Sequence, residues 1–138
     1  MITTNQISLQ SQGHCDIIEI TSLVEQQLEM TDIDGGIVTL FVNGSTAGIT
    51  TIEYESGLVA DFQRLWQQVA PENIPYEHDK RWGDGNGYSH VRASLLGASL
   101  VIPFKGKRLA LGTWQQIVVV DFDNRPRSRQ VIMQIMGE

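Results

Sequence analysis

Polar and apolar positions alternate through "TTNQISLQSQ", a period of two that predicts an edge strand at the start of the chain. "CDIIEI" predicts a short second strand. "SLVEQQLEM" changes to a helical period, with Ser22 and Glu25 at capping-box spacing. "GIVTLFV" is an apolar, β-branched run expected to form a buried strand, and "GITTIEYE" is expected to form another. From Gly57 to Val69 the apolar residues Leu58, Val59, Phe62, Leu65, Trp66 and Val69 share one helical face, and Pro71 ends that helix. The stretch from Pro71 to Ser89 has no period and is long for a connection inside a domain, a feature often tied to function. "HVRASLLG" predicts a short helix closed by Gly97. "SLVIPF", "IVVVDF" and "RQVIMQIM" are expected strands, with turns at Gly106 and "DNRPRS". Strands at both ends with two or three helices between them define one α+β domain over residues 1–138, built on antiparallel or mixed sheets rather than on a βαβ repeat.

Composition narrows the function. The chain of 138 residues is long enough to bury a core without disulfides or structural metal. Its net charge of -6, with no stripe of Lys and Arg, argues against nucleic acid and against a polybasic membrane contact as partners. No apolar run is long enough for a transmembrane helix, and "MITTNQISLQ" lacks the features of a signal peptide. One cysteine, Cys15, permits no intrachain disulfide, which fits a reducing cytoplasm.

The candidate chemistry gathers in "GDGNGYSH", residues 83–90. No Gly-Lys-Ser/Thr follows it, so it is not a Walker loop, and Tyr88 stands where a dinucleotide fingerprint needs its third glycine. Backbone N–H groups of Gly83, Gly85, Asn86 and Gly87, ahead of a helix N-terminus, suit an anion; the competing explanation is a loop that only needs positive φ. His78 and His90 bracket this irregular segment with Asp79 and Asp84, a candidate acid/base or metal set without a standard zinc spacing. In "LGTWQQ", Trp114 suits stacking on a heterocycle and Gln115 suits an amide-like edge, or else both are ordinary strand residues. Glu53 and Glu55, two apart on an expected strand, share a face as paired carboxylates or as a solvent face.

"HVRASLLG", "KRLALGTWQ" and the closing strand from Arg127 to Gly137, together with "VAPENIPYEHD", resemble the YjbQ-like family, also called secondary thiamine-phosphate synthase enzymes. The resemblance implies a compact α+β domain that assembles as a homotrimer. It implies condensation of hydroxymethylpyrimidine diphosphate with thiazole phosphate, giving thiamine phosphate and pyrophosphate, as a secondary activity. A non-catalytic trimer that binds a metal or a small phosphorylated ligand, and a metal-dependent hydrolase of such a compound, are the alternatives. On the transferase view, His78, His90 and Asp79 are the catalytic residues. His78 and His90, with Glu53, would hold a divalent ion such as Mg or Zn. The glycine loop with Lys80, Arg81 or Arg92 would face phosphate, and Trp114 and Gln115 would hold a ring. One departure is plain: many family members carry a histidine after the buried strand, where this chain has Gly44 in "NGSTAG".

Overall fold

The computed structural model describes residues 1–138. Its strands are β1 (Ile2–Ser11), β2 (Asp16–Glu19), β3 (Gly35–Val42), β4 (Ala47–Ile52), β5 (Ser99–Lys105), β6 (Arg108–Leu109), β7 (Gln116–Asp121) and β8 (Arg127–Gly137). Its helices are α1 (Thr21–Glu29), α2 (Ser56–Val69), α3 (Glu77–Trp82) and α4 (Gly87–Leu96). Two antiparallel sheets result, β1-β8-β3-β5-β6 and β2-β7-β4. None of the helices is long and apolar enough to cross a membrane.

The layering follows from side-chain alternation. In the larger sheet Val38, Leu40 and Val42 of β3 and Val131, Met133 and Ile135 of β8 face inward, while Ile37 and Phe41 face outward. The β3 run is therefore half-buried rather than enclosed on both sides. β7 is the strand buried on both faces. Its Ile117 and Val119 join the core against the larger sheet and α1. Its Val118 and Val120, with Phe122 just beyond it, join a second core with Trp66 of α2 and Ala93 of α4. The small sheet thus lies between the large sheet and the pair α2 and α4, which fixes where α4 crosses the start of β4.

Three sequence expectations change. Ser22 and Glu25 form no capping box, because the N-cap of α1 is Ile20, two residues before Ser22, and Glu19 accepts the Thr21 N–H at 3.1 Å. Glu55 is not a strand partner of Glu53: β4 stops at Ile52, and the Glu55 carboxylate caps α2 by accepting from Gly57 and Leu58. The long aperiodic segment holds α3 and the first turn of α4, so the irregular pieces shrink to residues 71–76 and 83–86, with Gly83 and Gly85 at positive φ. Helices this short, rich in glycine and charge, leave little periodic signal.

Candidate functional site

α3 and α4 bring His78 and His90 together, with ring centroids 4.4 Å apart and planes tilted by 37°. His78 Nδ1 lies 3.5 Å from Asp79 Oδ1 and 3.4 Å from Asp84 Oδ1. Burial lowers the His90 pKa from its ordinary value and His78 adds to this, against the opposing pull of Asp84, Asp123 and the Ser45 backbone. A His90 ring held neutral near pH 7 can take a proton or bind a ligand. His90 also lines a cleft of about 320 Å³ between one face of α4 (His90, Ala93, Ser94, Gly97) and the Gly44–Ala47 bend. Small residues on both walls create that space.

The donor set fits a divalent ion in part. His78, Asp79 and Asp84 present one nitrogen and two carboxylate oxygens within 4.8 Å of one another, a mixed set that suits Zn or Mg. His90 stands beside this set rather than in it. Glu53 does not fit. It follows the far end of β4, whereas His90 sits at the near end, and a six-residue strand separates the two by about 20 Å. Trp114 and Gln115 lie at that same far end, because Ile52 pairs with Gln116 and Ala47 with Asp121. Trp114 is neither a core residue nor near the histidines of its own chain, being 73% exposed. Gln115 donates to Thr51 Oγ1 at 3.1 Å and accepts from Gly112 N–H at 2.9 Å.

The glycine loop is mostly closed as a phosphate cradle. Three of its four candidate amides are taken by the protein's own oxygens: Gly83 N–H donates to Asp79 O (2.7 Å), Asn86 N–H to Asp84 Oδ1 (3.2 Å) and Gly87 N–H to Asp79 Oδ1 (2.8 Å), which leaves the Gly85 N–H alone without an acceptor in the chain. The loop aims carboxylates at His78 instead. Asn86 is buried and bridges inward, accepting the Asn124 N–H at 3.2 Å. Arg92 also turns inward. It is fully buried, its Nε donates to Ala70 O at the end of α2 (3.0 Å), and its guanidinium lies 4.8 Å over the Tyr88 ring. Nη1 and Nη2 have no partner, and neither does Trp66 Nε1 nearby. Arg92 does not line the cleft.

Sequence reasoning missed a buried polar network behind the cleft. Arg129 donates through Nε and Nη2 to both oxygens of Asp121 (2.7 and 2.9 Å) and through Nη2 to Thr46 Oγ1 (2.6 Å). Thr46 Oγ1 in turn donates to Asp123 Oδ2 (2.8 Å), which also accepts Arg127 Nε (3.0 Å). The signal was present in "DFDNRPRSR": acids at 121 and 123, then arginines at 127 and 129, each pair at strand period.

An antiparallel two-sheet α+β domain with a histidine-carboxylate cluster at the mouth of a small-residue cleft defines the class. The chain belongs to the family described as UPF0047 protein YjbQ-like, which it matches over residues 5–138. A UPF0047 protein of Archaeoglobus fulgidus is 35% identical over 131 residues, 95% of this chain and 99% of its own. The UPF0047 protein YugU of Bacillus subtilis is 34% identical over 139 residues, 99% of this chain and all of its own. The crystal structure of a YbjQ-like protein of unknown function from Sulfolobus solfataricus covers the whole of both chains with a TM-score of 0.89 at 30% identity.

Proposed function

We propose that this protein is a transferase acting on small phosphorylated heterocycles, with secondary thiamine-phosphate synthase activity, working as a homotrimer in the cytoplasm. The observation that carries this is the meeting of His78, His90, Asp79 and Asp84 at the mouth of one cleft. In the reaction the thiazole nitrogen attacks the methylene carbon of hydroxymethylpyrimidine diphosphate. The carbon–oxygen bond to the diphosphate breaks, and pyrophosphate leaves with the electron pair. Negative charge grows on the leaving group, so the site must supply donors or cations. A divalent ion held by His78, Asp79 and Asp84 would supply that charge when bound. His90, kept neutral, orients the substrate and accepts a hydrogen bond or proton at its free ring nitrogen. Lys80 and Arg81 stand exposed on α3 beside the cluster, although Lys80 is engaged by Glu77 at 2.8 Å.

The same donor set supports a second function, metal-dependent hydrolysis of a small phosphorylated compound, since a metal flanked by a neutral imidazole can activate water. One assay separates them. Pyrophosphate release from the pyrimidine diphosphate is followed with and without thiazole phosphate, in the presence of Mg or Zn, for wild type and His90→Ala. The transferase predicts release that needs the thiazole and is lost in the variant. Release without it indicates the hydrolase, and full turnover by a folded His90→Ala protein removes His90 from either site. Absence of release under all conditions, with phosphorylated ligands still bound, would leave a binding protein.

A further inference from the structure

The guanidinium of Arg129 has one nitrogen to spare. Its side chain is only 7% exposed, and the Nε and Nη2 edge is filled by Asp121 and Thr46. Nη1 makes no hydrogen bond within the chain. It lies directly under Gly44, where an added Cβ would sit 2.5 Å from it. Gly44 does not occupy the left-handed region. Its missing side chain is therefore a matter of space: any larger residue there would displace the arginine or cover it.

Gly44 lines the cleft together with Ser45, His90 and Ser94. The amides of Gly44 and Ser45 donate to nothing in the chain, and the hydroxyls of Ser45 and Ser94 are likewise unpaired. The bend and α4 thus supply donors on the cleft walls at one end, while Arg129 does not line the cleft itself and stands behind Gly44, with only the missing side chain between Nη1 and that wall. At the other end α4 closes at Gly97, where the negative end of its dipole disfavours an anion.

We infer that the Gly44 end of the cleft is a subsite for a phosphoryl group, with Arg129 Nη1 as its buried cationic donor and the Gly44 and Ser45 amides and Ser45 and Ser94 hydroxyls completing it. Asp121 neutralises most of the arginine's charge, so the subsite works by directed, charge-assisted hydrogen bonds rather than by long-range attraction. A planar carboxylate is the poorer ligand. It is best held by two parallel guanidinium donors, and that fork is already closed on Asp121. A tetrahedral group with three free oxygens can use single donors from several directions. The subsite rests on the reading of the substrate as phosphorylated, but it uses residues other than the histidine cluster and the glycine loop.

The test is calorimetric titration of the full-length protein with inorganic phosphate and with acetate, in buffer containing a chelator so that no metal bridges the anion. Wild type is expected to bind phosphate at least tenfold tighter than acetate. Gly44→Ala, in an exposed bend, is expected to lose phosphate affinity at least tenfold while keeping its circular dichroism; its thermal midpoint falls as far as the shifted arginine weakens the Asp121 pair, so affinities are compared well below the midpoint of both proteins. Arg129→Lys retains a charge opposite Asp121 but has no Nη1, and should lose affinity similarly. Gly85→Ala in the glycine loop should change it little. Unchanged phosphate affinity in folded Gly44→Ala, equal affinity for acetate, or no phosphate binding by wild type would each overturn the subsite. Turnover that needs His90 alongside unchanged phosphate binding by Gly44→Ala sinks the subsite and leaves the transferase. No turnover, with phosphate binding lost in Gly44→Ala, sinks the transferase and leaves the subsite.

Discussion

Asp121 and Arg129 show how single residues hold this site. Both are buried, and their two-pronged pairing satisfies each only while the other is present. Asp121→Ala removes the bidentate partner of a buried guanidinium and leaves it only Thr46 Oγ1 and the more distant Asp123 Oδ2 at 3.7 Å, so urea unfolding should show a loss of about 3–5 kcal/mol. A loss under about 1 kcal/mol would mean that the pair contributes little net stability. Asp123 gives a pH signature. Burial alone would raise its carboxyl, but Thr46, Asn86 and Arg127 more than offset this and hold it below its ordinary value of 3.8. A carboxylate with a depressed folded pKa contributes stability that is complete above its unfolded pKa and is lost as pH falls through the folded one. Wild type should therefore lose thermal stability below pH 3.8. Asp123→Asn should show a flatter acid limb, and parallel limbs in the two proteins would refute the assignment. The individual residues of this network left only a period-two trace in the sequence. Burial and pairing arise from β7 and β8 meeting across the fold, which no local pattern reports.

At the scale of elements, the glycines near α3 and α4 have unequal duties. Gly83 ends α3 with φ of 67°, yet an added Cβ there meets nothing within 4 Å. Gly87 has ordinary φ, but a Cβ would lie 2.7 Å from Tyr76 Cβ and 3.0 Å from Asp79 Oδ1. Gly83→Ala should cost only the left-handed backbone penalty, roughly 1–2 kcal/mol. Gly87→Ala should push α4 off Tyr76, displace Asp79 from the Gly87 N–H and disturb the His78–His90 contact. Its readout is the imidazole proton spectrum together with the thermal midpoint. A midpoint higher in Gly87→Ala than in Gly83→Ala, with unshifted His78 and His90 signals, would refute this. The long elements were legible: β1, α2, β5, β7 and β8 follow directly from period and punctuation, and α4 does from His90 onward, its first turn being hidden in the glycine-rich stretch. The two histidines were also legible as a pair, because they bracket the one aperiodic stretch. The inward use of the loop amides was not. Those hydrogen bonds depend on where α3 turns Asp79, and a six-residue helix carries too little pattern to show it. Trp114 and Glu53 looked eligible by residue type alone, and it is β4–β7 pairing that sends them to the opposite end of the small sheet.

The whole molecule leaves two separate apolar surfaces without cover. One is the outer face of the large sheet, where Ile2, Met136, Ile37 and Pro103 lie in one cross-strand row and Phe41 and Val101 are exposed beside them. The other is the ridge of Val69, Val91 and Leu95 on α2 and α4, next to His90. A two-fold dimer buries one patch against its own copy, whereas a closed ring of three needs two different surfaces that fit each other. Two distinct patches are compatible with the ring of three proposed above. The ridge of Val69, Val91 and Leu95 adjoins His90, so in the proposed trimer a neighbouring copy seated on it would also border the candidate site. Light scattering at micromolar concentration should give three times the 15.4 kDa chain mass. Phe41→Asp and Leu95→Asp change opposite sides of that contact, and each alone should yield monomers, because a heterologous interface fails when either half is charged. An equimolar mixture of the two variants should still form no trimer, since closing the ring needs three intact contacts. Dissociation by only one of the two substitutions would show that a single patch carries assembly, and a monomeric wild type would remove the ring altogether.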